Sequence, residues 1–315
     1  MATLGAGIIS SCVDSSGNVA GGQQGATADT ALIGGEVPDI PYSARARHLP
    51  PPPKPKEEPS FERGYGAGCP RLMVRIGDFC IDRFEAYVVE LKAGKEEPHL
   101  HSVHPHNDQV LMAKVAYRMY PQGSISRPQA EQACQNAGKR LCTMAQWKLA
   151  CRGAEGSRYP YGPDEEPGKC NTRKTHLVTQ FFGTDPMKWG NGMNDPLLNM
   201  IKGYLARGYE HPACVSGFGA YDMVGNLHEW VSDLVTVQMV GGRANDEKPE
   251  GGEKRKPRHP LLRVEPGNGI FMGGFFSNSN ENGEGCSYTT MAHGVQHYDY
   301  STGFRCCKDA DSNGK

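Results

Sequence analysis

Residues 221–230, Tyr221-Asp222-Met223-Val224-Gly225-Asn226-Leu227-His228-Glu229-Trp230, join an apolar, strand-like run to a glycine that lets the backbone turn. Asp222 and Glu229 flank Gly225-Asn226-Leu227, so a curled loop brings two carboxylates and the intervening carbonyls within reach of one hard cation. The competing reading of the same residues is that Asp222 and Glu229 cap turns and pair with Arg305. Two other stretches belong with this one: Ala137-Gly138-Lys139-Arg140-Leu141-Cys142-Thr143 with Gln146-Trp147, and the run Ser301-Thr302-Gly303-Phe304-Arg305-Cys306.

The elements around these stretches follow from capping and periodicity. Ser126 with Gln129 three residues on reads as a capping box, and Pro128 is tolerated in the first turn. Ala130, Ala133, Cys134 and Ala137 share a face, and Gly138 stops the helix. A second helix starts at Thr143 with Gln146 as its box partner, buries Trp147, Ala150 and Cys151, and ends at Gly153. Cys69 to Ile76 alternates as an entering strand, Gly77-Asp78 turns, and Phe79-Cys80-Ile81-Asp82 returns as its partner. From Gly153 about seventy residues read as loop, and from Ile270 to Cys307 strands and tight turns resume. The stretch 246–259 is a mixed-charge surface insertion.

The three stretches resemble the D-M-x-G-N-x-x-E-W signature and accompanying motifs of the formylglycine-generating enzyme/sulfatase-modifying-factor domain family. The likeness covers about residues 69–307. It implies a C-type-lectin-like α+β fold with two helices, short twisted strands and many loops. The expected division is a disordered leader and proline-rich tether over 1–60, the domain over 61–309, and a tail over 310–315. Residues 50–56 are dominated by proline, and residues 1–60 cannot bury enough apolar surface to offset the entropy of ordering.

The chain has 315 residues, with 34 Lys plus Arg against 35 Asp plus Glu. That balance offers no basic surplus for a phosphate backbone, so nucleic acid is not an expected partner. No apolar run approaches the roughly 18 residues that span a bilayer, and no transmembrane segment is expected. Of 11 cysteines, ten lie between Cys69 and Cys307 without a Cys-x-x-Cys pair. A scattered, even set reads as disulfides formed in an oxidising compartment, each worth about 2–4 kcal/mol; buried free thiols are the alternative. An extracytoplasmic location is therefore expected. Ile9-Ser10-Ser11-Cys12 resembles a bacterial lipobox, which would put a lipid anchor on Cys12, although residues 1–11 contain no Lys or Arg.

The resemblance also implies calcium sites. Carried over, the first comprises Asp222, the carbonyls of Gly225 and Leu227, and Glu229. The second comprises Asn171, the carbonyl of Thr172, Asp195 and the carbonyl of Leu197. The family's catalytic pattern is not matched. Asn278 and Gly283 stand four and nine residues after Gly274, where the enzyme carries the cysteine pair that binds copper and activates oxygen. One nearby thiol, Cys286, cannot build the two-thiolate site that Cu(I) prefers, so copper is not expected. Cys286 is expected to pair with Cys306 or Cys307.

Other catalytic candidates are Cys286, His293 and His297, the histidines being four apart, which leaves non-heme iron or another transition metal open. His99, His101, His104 and His106 form a second group, in which alternate residues would share a strand face. Neither Gly-x-Ser-x-Gly nor the sugar-binding triplets of calcium-dependent lectins occurs. Phe275, Phe276, Asn278, Asn280, Tyr288, Tyr298 and Tyr300, with the two histidines, fall where the family builds its substrate groove, and such a mixture suits a peptide, protein or glycan ligand. The same residues also suit filler packed beneath long turns. The expected function is a non-catalytic binding or structural module on a calcium-supported scaffold. The alternative is an oxygen-dependent oxidoreductase of the formylglycine-generating or siderophore-maturing type, working through His, Tyr or a non-heme metal.

Overall fold

Gly77 adopts φ +60° and turns strand β1 (Met73–Ile76) directly into β2 (Phe79–Asp82), with Ile76 opposite Phe79. The computed structural model describes residues 68–183, 192–240 and 263–311. The leader with Cys12, the 246–259 insertion and residues 312–315 of the tail lie outside the described residues. After β2 come β3 (Tyr87–Lys92), β4 (Lys95–Pro98) and β5 (Leu111–Lys114), which form a small antiparallel sheet in the order β4-β3-β5.

Both expected helices form where their caps place them. Helix α1 (Arg127–Asn136) opens with the Ser126 backbone N–H and hydroxyl both donating to Gln129 Oε1, at 3.1 and 2.8 Å, and buries Ala130, Ala133 and Cys134. Strand β6 (Arg140–Leu141) leads to α2 (Met144–Arg152). There Thr143 Oγ1 accepts from the Gln146 N–H while Gln146 Oε1 accepts from the Thr143 N–H, both at 3.1 Å. Such a reciprocal box satisfies two helix-end donors that otherwise lack partners.

Strands β3, β4 and β5 were not expected, nor was one short helix. Within the stretch read as loop, Leu177–Phe182 forms a short helix, α3, that ends at Gly183. Its six residues are too few for a periodic signal. It is held by burial of Leu177 and Val178 against Leu198, Phe276 and Tyr300.

The remaining strands are β7 (His228–Leu234), β8 (Gly269–Met272), β9 (Thr289–His293), β10 (Thr302–Phe304) and β11 (Cys306–Asp309). They build one sheet in the order β10-β7-β8-β9, with β10 parallel to β7, and complete another in the order β1-β2-β11-β6. The result is a mixed α+β fold of small sheets, as the motifs implied. A large core gathers around Trp147, and a second packs α1 against Trp230, Phe271 and Phe304.

All ten cysteines from Cys69 onward are joined in five disulfides: Cys69–Cys80, Cys134–Cys306, Cys142–Cys307, Cys151–Cys286 and Cys170–Cys214. Cys286 therefore pairs with Cys151, not with Cys306 or Cys307. Successive strand residues point to opposite faces. Cys306 thus meets Cys134 of α1 on one face of β11, and Cys307 meets Cys142 on the other. Cys286, on a 3₁₀ turn at Gly285–Ser287, is left facing α2.

Candidate functional site

The turn into β7 places Glu229 in the interior, 1% exposed, opposite Arg305, which is fully buried. Arg305 Nε donates to Glu229 Oε2 and its Nη2 to Oε1, both at 2.6 Å, and Trp147 Nε1 adds a third donor to Oε2 at 2.7 Å. Arg305 also reaches the carbonyls of Asp82 (3.0 Å) and Tyr221 (2.9 Å). A buried ion pair needs such extra partners to offset its desolvation. The pairing of Glu229 with Arg305 is thus the dominant geometry at the first candidate calcium site.

Two more carboxylates share this interior. Glu85 Oε1 accepts from the Leu227 N–H at 3.0 Å, and its other oxygen accepts from the Asn226 side chain. Asp222, at φ +58°, accepts from the Tyr209 N–H at 3.4 Å through Oδ2, while its Oδ1 is buried without a hydrogen-bond partner. Burial pushes the Asp222 carboxyl up to about 7, with Arg305 opposing and Glu229 adding to the rise. Glu85 is raised well above the carboxylate range by burial, then by Glu229 and Asp222. Of the four residues carried over, Asp222 has the unsatisfied oxygen that a hard cation would use, whereas both oxygens of Glu229 are already engaged.

The second set is tied to the first. Gly225, at φ +81°, lies so close to Asn171 that a Cβ there would sit 2.2 Å from the Asn171 carbonyl. That carbonyl accepts from the Asn226 N–H (2.9 Å), and Asn171 Nδ2 donates to Asn226 Oδ1 (2.7 Å). Asn171 Oδ1 is buried without a hydrogen-bond partner. The Thr172 N–H donates to the Cys170 carbonyl, and Asp195 Oδ1 accepts from the Leu197 N–H at 3.0 Å within its own turn.

The histidine candidates divide. His293 and His297 stack with ring centroids 4.1 Å apart, and His297 Nε2 bonds Asp299 Oδ2 at 3.0 Å. Asp299 Oδ1 is fixed by the Ser301 N–H (2.8 Å) and hydroxyl (2.6 Å). Burial would raise the Asp299 carboxyl, but the bond and charge of His297 and the Ser301 donors outweigh it and hold it low. Cys286 is locked in its disulfide and is no ligand. Among the described residues, no three His, Cys, Asp or Glu side chains converge as a metal requires.

His228, which sequence reasoning passed over, is packed between Phe271, Phe275 and Tyr288 at 4.6, 5.0 and 5.4 Å. Its Nδ1 is buried without a hydrogen-bond partner, and burial drives the ring down to about 3, so it stays neutral. The available signal was alternation: with Glu229 facing Arg305, its neighbour must face the opposite layer.

The N-terminal histidines each make a separate contact. His99 Nδ1 bonds Gln122 Oε1, His101 Nε2 bonds the Asn199 carbonyl, His104 Nδ1 bonds the Ser124 carbonyl, and His106 is exposed. His104 also stacks on Tyr298, next in sequence to His297, with centroids 3.4 Å apart.

The aromatics expected to line a groove are mostly buried. Phe275, Phe276, Tyr288 and Tyr300 are each at most 5% exposed and pack with α3 or around His228, so they line no open surface. Asn278 organises its own loop by accepting from the Asn280 and Glu281 N–H groups. Asn280 is exposed and Tyr298 half-buried. Gly283 stands at φ +112°, where a Cβ would lie 2.7 Å from the Ser287 carbonyl. A cysteine at this position would be strained.

Residues 56–310 match the family described as the sulfatase-modifying factor enzyme 1-like domain. The formylglycine-generating enzyme of Thermomonospora curvata is 28% identical over 177 residues, covering 55% of this chain and 50% of that enzyme. The mouse formylglycine-generating enzyme is 31% identical over 143 residues, 43% of this chain and 33% of the enzyme. The chain thus matches half or less of the length of these relatives. Among solved structures, PvdO from Pseudomonas aeruginosa aligns with a TM-score of 0.37 at 15% identity, over 73% of this chain and 80% of PvdO. The Major Tropism Determinant P3c variant aligns with a TM-score of 0.39 at 13% identity, over 78% of this chain and 54% of that one.

Proposed function

The chain belongs to the sulfatase-modifying factor enzyme 1-like family, and from that premise we propose that it is an extracytoplasmic binding module and not a copper-thiolate oxidase. One observation carries the proposal: every cysteine from Cys69 to Cys307 is consumed in a disulfide, Cys286 included. The described chain therefore offers no thiolate for Cu(I). The five bridges also support export, and a lipid at Cys12 would tether the module. Its ligand face comprises Asn278, Asn280, His293, His297 and Tyr298 with His104, over the buried aromatic floor. A peptide, protein or glycan fits this mixture of rings and polar tips.

Calcium enters as a structural ion. Asp222 Oδ1 and the carbonyls of Gly225 and Leu227 would hold it, with the weaker set at Asn171, Thr172, Asp195 and Leu197 beside it. When bound, it would neutralise the carboxylates that Arg305 leaves unpaired.

The test is metal and product analysis of purified protein. Calcium alone, together with no aldehyde formed from a cysteine-bearing peptide under copper and oxygen, is the expected result. Stoichiometric copper or iron, lost when His293 and His297 are replaced, overturns it. The second reading, an oxidoreductase using His or Tyr, draws its support from the His297–Asp299 pair, in which a carboxylate orients a half-exposed imidazole as in a general base.

A further inference from the structure

We propose that the turn Gly294–His297 is an acid-released latch on this ligand face, opened when a second proton enters the His293–His297–Asp299 group. The proposal rests on the binding-face reading above and adds its regulation.

The geometry supplies one counter-charge for two rings. His297 shares Asp299 Oδ2, and the other Asp299 oxygen is taken by Ser301. A first proton is accommodated as the His297–Asp299 ion pair. A second, on His293, lies 4.1 Å from the first ring with no carboxylate of its own. Like charges at that spacing repel, more strongly where water is partly excluded.

Among the described residues, the only carboxylate acting on His293 is Asp299. His228, facing from β7, is neutral and buried, and His104 is bonded to the Ser124 carbonyl. His176 and Tyr300 interact with Asp299 and are not among the groups acting on His293. The Arg127 guanidinium turns away to the carbonyls of Val231 and Ser232 and to Glu131. Burial and His297 together hold His293 down to about 4, which keeps the latch shut near neutrality.

The mechanical parts are equally few. The His297 N–H donates to the Gly294 carbonyl at 3.0 Å, and the Arg127 N–H donates to the Val295 carbonyl at 3.2 Å. Tyr298 is pinned by His104. Gly294 has open space where a side chain would stand, so these contacts, and no packed Cβ position, hold the turn.

The test is amide hydrogen exchange on the full chain without ligand, corrected for intrinsic pH dependence, for wild type, His293→Phe and His293→Gln. Protection of the His297 and Arg127 amides is expected to fall at least tenfold between pH 6 and pH 4 in wild type, with β7–β8 amides unchanged. Neither variant should show that fall. Unchanged protection at pH 4, an equal fall in both variants, or loss in step with β7–β8 would each overturn the latch. Because no ligand is used, the outcome is independent of whether the face binds one.

Discussion

Replacing Asp222 by Asn isolates the charge imbalance at the buried cluster. Glu85, Asp222 and Glu229 face Arg305, and Glu229 occupies its Nε and Nη2. Moving a carboxyl from 3.8 to about 7 penalises the ionised fold by about 4 kcal/mol, at roughly 1.4 kcal/mol per pH unit. Since Glu85 and Glu229 readjust when one charge is removed, about 2–4 kcal/mol is the expected gain. The sign follows from linkage. A carboxyl raised in the fold is stabilising below its unfolded value, and that stability drains away as pH rises from about 4 to about 7. Asp222→Asn should therefore be neutral at pH 4 and stabilising at pH 8. Asparagine also tolerates the left-handed backbone at this position, but that benefit is independent of pH. In thermal unfolding with chelator present, roughly 2–4 °C per kcal/mol gives a gain of about 5–15 °C at pH 8. Calcium should raise the melting temperature of wild type by more than that of the variant, which keeps only the second set. Equal gains at both pH values, or a loss at pH 8, would refute the reasoning.

Three further outcomes follow from named contacts. His228→Phe removes a buried nitrogen without a partner and keeps the ring packing, so stability at pH 7 should rise by about 1 kcal/mol. Because the His228 ring is depressed to about 3, wild type loses its contribution as pH falls from about 6.5 to about 3, and the variant should show a shallower acid limb in denaturant titrations. Removing the Cys151–Cys286 bridge by paired alanines should cost about 2–5 kcal/mol, and an unchanged unfolding midpoint would show that the bridge is not formed. Gly273→Ala, at φ +83° with the Met223 carbonyl 2.8 Å and Trp147 3.0 Å from the new Cβ, should lose about 1–3 kcal/mol. Wild-type stability in that variant would contradict the close packing of the loop on Trp147.

Local signals were read correctly where one short stretch determined its own conformation. The boxes at Ser126–Gln129 and Thr143–Gln146 and the Gly77-Asp78 turn formed as their residues dictate. Disulfide formation was legible from cysteine count, but the partner of Cys286 was not, because pairing depends on which face of β11 each vicinal cysteine occupies. Burial was the other hidden quantity. Phe275, Phe276, Tyr288 and Tyr300 carry no mark in sequence that separates an exposed wall from buried packing; α3, itself too short to announce, and the rings around His228 decide it. The pairing of Glu229 with Arg305 was present only as an alternative, since its strength depends on Trp147 arriving from 82 positions away.

Strand β11 is the last of the strands in order along the chain, yet it lies between β2 and β6 in its sheet. During synthesis, the earlier strands must therefore wait with a gap between them, their edges open to any passing chain. Cys134 and Cys142 must likewise stay reduced, or be released from wrong partners, until residues 306 and 307 arrive from more than 160 positions downstream. The delivery of this one strand closes the sheet and sets both bridges together. A thiol–disulfide isomerase and a factor that shields open strand edges are thus the helpers whose absence should trap the chain before it matures.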